Sequence, residues 1–256
     1  MSTQIALQLY TLRNFTKTPD DIARTLNRVK KIGYDAVQVS ALGKIEPEKL
    51  ADILKNEGLV CCATHVGLDR LRDQTENVIA EHKLWGCEYT ALGHANFRTA
   101  EGWDTFINDF NAIAAKFRGT GVHLGYHNHS NELVKYDGQS PLRRMQEKFL
   151  PEVWFEVDVY WITHGGGDPA AEIDRWAGRL PCIHLKDMSV ELNAEQNHEQ
   201  RMAVVGEGNL NFPRIIESTK KAGTKWFIVE QDNCYGQDPF DCAARSLKNV
   251  KAMGLV

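Results

Sequence analysis

The 256-residue sequence lacks the features that mark several classes of protein. No apolar run approaches the roughly 20 residues that a membrane-spanning helix needs. The opening segment MSTQIALQLYTLRNF has no basic stretch before its apolar part and no small-residue cleavage site after it, so we expect no signal peptide. The formal net charge is −4, which gives no electrostatic reason to expect nucleic acid or an anionic membrane as a partner.

Cysteine is present but forms no recognisable motif. The six cysteines include the adjacent pair Cys61 and Cys62, yet no CxxC spacing occurs, and most of them lie in apolar segments. This usage predicts reduced, buried thiols in a cytoplasmic protein rather than a disulfide framework or a zinc site.

What the sequence does contain is one pattern repeated eight times: an apolar strand-like run, a polar break and a segment of helical periodicity. Glycines at the helix ends and aspartates before the helix starts agree with this pattern. The predicted strands are 5–10, 34–40, 59–66, 87–93, 122–129, 153–160, 182–187 and 225–231. The predicted helices are 20–33, 46–58, 68–86, 100–121, 138–151, 167–181, 210–223 and 238–254, with C-terminal caps at Gly33, Gly58, Gly86, Gly121 and Gly223 and N-terminal caps at Asp20, Asp168 and Asp238.

Eight βα units predict a parallel sheet that can close into a single α/β domain, a (β/α)8 TIM barrel over residues 1–256. The alternative is a doubly wound open sheet. Such a sheet normally has a glycine-rich phosphate-binding turn after its first strand, and QLYTLRNF at that position has no glycine.

Polar side chains gather where the predicted strands end, which is the reactive face of such barrels. The segment FEVDVYW (155–161) places Glu156 and Asp158 in an apolar strand, although burying a carboxylate is costly unless a cation or several donors meet it. For Glu156, a structural ion pair and a role in chemistry both stay open. The strand-end groups are Gln8, Tyr10, Gln38, His65, His94, His127, His129, Glu132, Glu156, Asp158, His184, Lys186, Asp187, Glu230 and Asp232.

Asp158, His184 and Glu230 end three strands that would be neighbours in the barrel, so their side chains can converge. Two carboxylates and an imidazole suit a divalent ion, with Mn²⁺ expected first and Co²⁺, Mg²⁺, Zn²⁺ or Fe²⁺ as alternatives. The fifth predicted strand and the turn after it should supply a fourth ligand: we expect Glu132, which would complete an oxygen-rich set, with His127 as the alternative.

Several of these segments resemble one known family. GYHNHSNE, VDVYW, IHLKD, GEGNLNF and FIVEQD are similar to motifs of the xylose isomerase-like sugar phosphate isomerase/epimerase superfamily, most closely its inosose dehydratase-like and 3-keto-glycoside-processing branch. The resemblance runs along nearly the whole chain. It implies a divalent metal bound by a Glu, an Asp, a His and a second Glu, the last three of which match Asp158, His184 and Glu230. The position of the first Glu falls near His127, and the nearest carboxylate is Glu132, so this chain departs from the pattern there.

The expected reaction is metal-assisted proton transfer at a carbon next to a carbonyl of a small sugar or cyclitol. His129 or Glu230 would remove the proton, and Lys186 would hold a substrate oxygen. Return of the proton gives an isomerase or epimerase, whereas loss of a leaving group gives a lyase, either inosose dehydratase-like or 3-keto-glycoside-cleaving. A metal-dependent endonuclease for abasic DNA and a non-catalytic sugar-binding subunit are weaker alternatives, and we expect a homodimer or homotetramer.

Five further residues are predicted to contact the substrate: Gln8, His65, His127, Trp161 and Glu207. Trp161 would stack on a sugar face. Glu207 lies in VGEGNL, within the long insertion 188–212, which we expect either to fold over the mouth of the site or to form a turn before the following helix.

Overall fold

The chain folds into a closed parallel barrel in the computed structural model, which describes residues 4–255. The strands pair in the order β1, β10, β7, β6, β5, β4, β3, β2, so the predicted TIM barrel is confirmed. The barrel strands are β1 (Gln4–Gln8), β2 (Ala36–Val39), β3 (Val60–His65), β4 (Tyr89–Leu92), β5 (His123–His127), β6 (Trp154–Asp158), β7 (Cys182–Leu185) and β10 (Trp226–Val229). Within the insertion, β8 (Asp187–Leu192) and β9 (His198–Ala203) form an antiparallel hairpin.

Helices surround the barrel. They are α1 (Pro19–Ile32), α2 (Pro47–Glu57), α3 (Leu68–Asp73), α4 (Thr75–Trp85), α5 (Ala100–Ala115), α6 (Pro141–Lys148), α7 (Val159–His164), α8 (Pro169–Arg175), α9 (Phe212–Ala222) and α10 (Pro239–Ala252), with 3-10 turns at Leu9–Phe15 and Asn131–Leu133. None of the helices within residues 4–255 is long and apolar enough to cross a membrane.

Most of the predicted helix ends are correct, and the exceptions have local causes. Gly33, Gly58, Gly86 and Gly223 adopt the left-handed conformation as C-caps, and Asp168 and Asp238 cap α8 and α10. Asp20 is not a cap: the N-cap is Thr18, two residues earlier, whose hydroxyl accepts from the Asp21 amide in a reciprocal capping box.

The prediction for Gly121 is also wrong, because α5 ends at Ala115 and Gly121 lies in the following turn. The predicted helix 68–86 is two helices, α3 and α4, separated at Gln74.

Two apolar layers build the core. The larger one lies between the strands and the helices, and a smaller one fills the lower part of the barrel interior. There the Trp154 ring lies over Gly125, where an added Cβ would come within 2.3 Å of it. Side chains alternate along a strand, so Glu156 and Asp158 follow Trp154 on the inner face and rise towards the open end. The six cysteines are free thiols, five of them buried, as predicted.

Candidate metal centre and active site

A cavity of about 550 Å³ opens at the carboxyl ends of the barrel strands. Its wall combines histidines, a tryptophan and charged groups from separate strands. Among its lining residues are Tyr10, His65, His94, His127, His129, Trp161, Lys186, Glu230 and Asp232. The predicted asymmetry between an apolar lower barrel and a polar upper end is therefore present.

Asp158, His184 and Glu230 converge at the carboxyl end of the barrel, where Glu230 lines the cavity and the other two are fully buried. His184 Nδ1 lies 2.8 Å from Glu230 Oε2 and 3.7 Å from Asp158 Oδ2, and one ligand atom from each residue lies within 4.8 Å of the other two. Asp158 and His184 lie close together because they are direct register partners on the neighbouring strands β6 and β7. Oδ1 of Asp158 caps α7 by accepting the Trp161 amide at 3.0 Å, which leaves Oδ2 aimed at the centre.

These three residues fit a divalent metal ion. Asp158 Oδ2 is buried with the Lys186 ammonium 3.0 Å away, but it receives no hydrogen bond of acceptable geometry from the described residues, so it has room for a further cation. Burial by itself would raise the pKa of Asp158, but Lys186 and His184 lower it to about 2, so the carboxylate is ionised. Oxygen and imidazole ligands of this kind suit first-row divalent ions.

Lys186 brings a positive charge to this centre. Its Nζ lies 3.0 Å from Asp158 Oδ2, 2.9 Å from Glu230 Oε2 and 3.1 Å from Asp232 Oδ2. Burial would lower the pKa of Lys186, but the carboxylates of Asp158 and Glu230 raise it well above its usual value. Lys186 is thus a buried ammonium within a cluster of carboxylates. Burial and the neighbouring Glu230 raise the pKa of Asp232 to about 7.

Glu132, the first candidate for a fourth ligand, is not among the residues that cluster with Asp158, His184 and Glu230. Glu132 is buried away from the three residues, and its oxygens accept from the Tyr126 hydroxyl at 2.5 Å and the His129 amide at 2.9 Å. Burial raises the pKa of Glu132 to about 7. His127, the alternative, has Nε2 3.8 Å from Asp158 Oδ2 and is the better placed of the two.

Glu156 lies one layer below and contacts three imidazoles. Its Oε2 is 2.6 Å from His65 Nε2, 3.2 Å from His184 Nε2 and 3.3 Å from His127 Nδ1. Burial would raise the pKa of Glu156, but His184 and His65 hold it well below its usual range. The charged partners of Glu156 are thus histidines. His127 and His184 lie on β5 and β7, the two strands that pair with β6, whereas His65 comes from the more distant β3.

The remaining predicted contacts divide into two groups. His65, His127, His129 and Trp161 line the cavity, and the His129 and Trp161 rings are 5.0 Å apart. Burial, with His127 and Lys186 adding to it, lowers the pKa of His129 to about 2, so this imidazole is neutral. Gln8 is fully buried beneath the cavity, where its Nε2 donates to Gln38 Oε1 at 2.8 Å.

Glu207 is not brought to the cavity. It forms an ion pair with Arg245 at 3.2 Å, and its side chain is 44% exposed. The surrounding segment instead wraps around the buried Asp187, whose carboxylate accepts from the backbone amides of Met188, Gly206, Gly208 and Leu210. VGEGNL is therefore a turn held by Asp187, the second of the two alternatives that the sequence left open.

Comparison with known proteins agrees with this architecture. The family described as "Xylose isomerase-like TIM barrel" matches residues 26–251, so the chain belongs to that family. Among solved structures, a sugar phosphate isomerase/epimerase from Parabacteroides distasonis is similar with a TM-score of 0.84 at 21% identity, covering 100% of this chain and 96% of the other. An L-ribulose 3-epimerase has a TM-score of 0.74 at 13% identity, covering 98% and 94%. These likenesses show the fold.

Alignments with the curated relatives cover smaller shares of the two proteins. An inosose dehydratase from Geobacillus thermodenitrificans is 25% identical over 60% of this chain and 55% of its own length, and the rhizopine catabolism protein MocC of Rhizobium meliloti is 28% identical over 54% and 44%. The match thus spans about half the length of these two relatives. An inosose dehydratase from Geobacillus kaustophilus is 24% identical over 84% of this chain and 80% of its own length.

Proposed function

We propose that the protein is a divalent-metal-dependent enzyme that moves a proton at a carbon next to a carbonyl of a small sugar or cyclitol, as an isomerase or epimerase. The observation that carries the proposal is the buried cluster of Asp158, His184 and Glu230, of which Glu230 lines a cavity that histidines and charged groups also line. His127 would join these three in holding the ion. The chemistry supplied by such an ion is polarisation of a substrate oxygen and stabilisation of the negative charge that forms on it.

The chain's own groups account for the remaining steps. Glu230 lines the cavity as a carboxylate and takes the carbon-bound proton, with His129 as the alternative acceptor. Lys186 Nζ, 2.9 Å from Glu230 Oε2, places a positive charge where a substrate oxygen can be held. Trp161 presents an aromatic face beside His129, which suits one face of a sugar ring.

A lyase is the second candidate, and the curated relatives favour it. An inosose dehydratase from Geobacillus kaustophilus aligns over 84% of this chain. The same proton abstraction leads to dehydration or to glycoside elimination when a leaving group stands on the neighbouring carbon. Both reactions begin with the same proton removal by the same residue. Whether isomerisation or elimination follows depends on whether the substrate carries a leaving group.

One experiment tests the shared step. The purified chain, first stripped with a chelator and then supplied with Mn²⁺, is incubated with candidate keto-sugars and keto-cyclitols in D₂O and followed by NMR. We expect deuterium at one carbon next to the carbonyl only when the metal is present. Product analysis separates an epimer or isomer from an eliminated product. Exchange that is unchanged by the chelator contradicts metal dependence, and no exchange with any member of the panel counts against the reaction class.

A small-molecule substrate, a cytoplasmic location and assembly into a homodimer or homotetramer remain predictions from the sequence.

A further inference from the structure

Gln38 is a fully buried amide that contacts both the metal-binding histidine and the layer beneath it. It lies in β2, in register with Gln8 of β1, and it is not among the residues that line the cavity. Its Nε2 lies 2.9 Å from Glu156 Oε1, and its Oε1 lies 2.6 Å from His184 Nε2. The contact with His184 joins residues 146 positions apart in the chain.

The neighbours fix which way this amide points. A carboxylate oxygen accepts hydrogen bonds, so the Gln38 atom facing Glu156 must be the NH₂ group, which donates. The other atom, Oε1, then faces Gln8 Nε2 at 2.8 Å and His184 Nε2 at 2.6 Å. Gln8 is a donor there because its own Oε1 faces the Tyr10 amide at 3.3 Å.

The orientation of Gln38 determines the proton position on His184. An amide oxygen only accepts, so His184 Nε2 must carry hydrogen to bond with it at 2.6 Å. Glu156 Oε2, 3.2 Å from the same nitrogen, favours the same arrangement. Nδ1 faces the Glu230 carboxylate at 2.8 Å, so without a metal it carries hydrogen as well. A divalent ion would replace the proton on Nδ1, the nitrogen that faces Glu230 and Asp158, while Nε2 keeps its hydrogen bond to Gln38.

We infer that Gln38 is a positioning residue for the metal centre: it holds the proton of His184 on Nε2 and thereby presents Nδ1 as the ligand. This inference rests on the proposed function, since it requires that His184 binds a metal. Partners that donate to or accept from the outer nitrogen of a ligating histidine typically change metal affinity by 10- to 100-fold when they are removed.

The test uses an isosteric variant and a matched control. Gln38→Met keeps the side-chain length and removes both polar atoms. We expect calorimetric titration with Mn²⁺ to show affinity about 10- to 100-fold weaker than in the unaltered chain. The control is Thr64→Val on β3, which removes a buried hydroxyl bonded to Thr90 and facing His82 without touching His184. We expect this control to lose stability but to retain Mn²⁺ affinity.

A second measurement needs no variant. In the Zn²⁺-loaded, ¹⁵N-labelled chain, the ring nitrogen shifts of His184 should identify Nε2 as protonated and Nδ1 as the metal-bound nitrogen. Metal bound through Nε2, or Gln38→Met with unchanged Mn²⁺ affinity, overturns the inference and leaves the proposed function standing. If the unaltered chain binds neither ion, both the proposed function and this inference fail.

Discussion

Lys186 Nζ lies 2.9 Å from Glu230 Oε2 in the floor of the cavity, and both side chains are almost completely shielded from solvent. The same ammonium contacts Asp158 and Asp232. Two of its three carboxylate partners belong to the candidate metal centre, so Lys186 shares ligand oxygens with the proposed ion. The charges of these side chains therefore stabilise one another, and replacing a single one of them should change stability or activity measurably.

Replacing Lys186 with Met is expected to destabilise the metal-free chain by about 3–5 kcal/mol, because buried carboxylates lose their cation. Added Mn²⁺ should restore part of this loss by supplying positive charge. Urea unfolding with a chelator and with Mn²⁺ measures both effects. Lys225→Met is the control: Lys225 contacts the Tyr89 hydroxyl outside the metal centre, so its loss should be small and insensitive to Mn²⁺. Equal losses in the two variants would contradict the assigned role of Lys186.

Replacing Glu230 with Gln is expected to reduce deuterium exchange into substrate by at least about 100-fold, since the amide neither accepts the proton nor carries the charge. The measurement is the initial exchange rate in D₂O with saturating Mn²⁺. Glu217→Gln, on the exposed face of α9 beside Lys221, is the matched control and should exchange at the normal rate. Retained exchange in Glu230→Gln together with loss in His129→Gln would assign the proton acceptor to His129 instead.

Glu132 should make the stability of the chain depend on pH. The pKa of this carboxyl is raised from 4.5 to about 7 by burial, so the folded state holds the proton more tightly than the unfolded state does. The group's contribution to stability is present below about pH 4.5 and is lost as the pH rises through 7, a change of about 3 kcal/mol.

The comparison of the unaltered chain with Glu132→Gln isolates this contribution. We expect the free energy of unfolding of the unaltered chain to fall relative to the variant between pH 4.5 and pH 8, as measured by urea titration at each pH. Parallel stability curves for the two proteins across this range would show that Glu132 is not held protonated by burial.

Replacing Asp187 with Asn is expected to loosen the turn at residues 204–210. The amide would place an NH₂ group against backbone N–H donors that now bond to carboxylate oxygens, at 2.9 Å for Gly206 and Gly208. Loss of a hydrogen bond to a charged group costs about 1.5–3 kcal/mol. Hydrogen exchange of the backbone amides of Gly206 and Gly208 should therefore accelerate by about tenfold or more. Hydrogen-exchange NMR measures this, with Asp241→Asn as a surface control. Unchanged protection at Gly206 and Gly208 would rule out Asp187 as the anchor of this turn.

The sequence determined the barrel because its signals are local. Alternating apolar runs and helical periodicity define each βα unit, and Gly33 or Asp168 mark helix ends through backbone geometry that involves only near neighbours. Asp158, His184 and Glu230 were predictable as a cluster, because parallel strands of a closed barrel bring their carboxyl ends to one face.

Only the tertiary structure decided how the polar groups pair. Glu132 follows β5 closely in sequence, yet the 3-10 turn at Asn131–Leu133 directs its carboxylate to Tyr126 and the His129 amide, while His127 faces Asp158. Glu156 meets three histidines, and Gln38 reaches His184 across 146 residues of chain. Such contacts depend on strand register and side-chain direction across the barrel interior. Sequence periodicity gives the face of each strand, but it does not give the partner on the opposite wall.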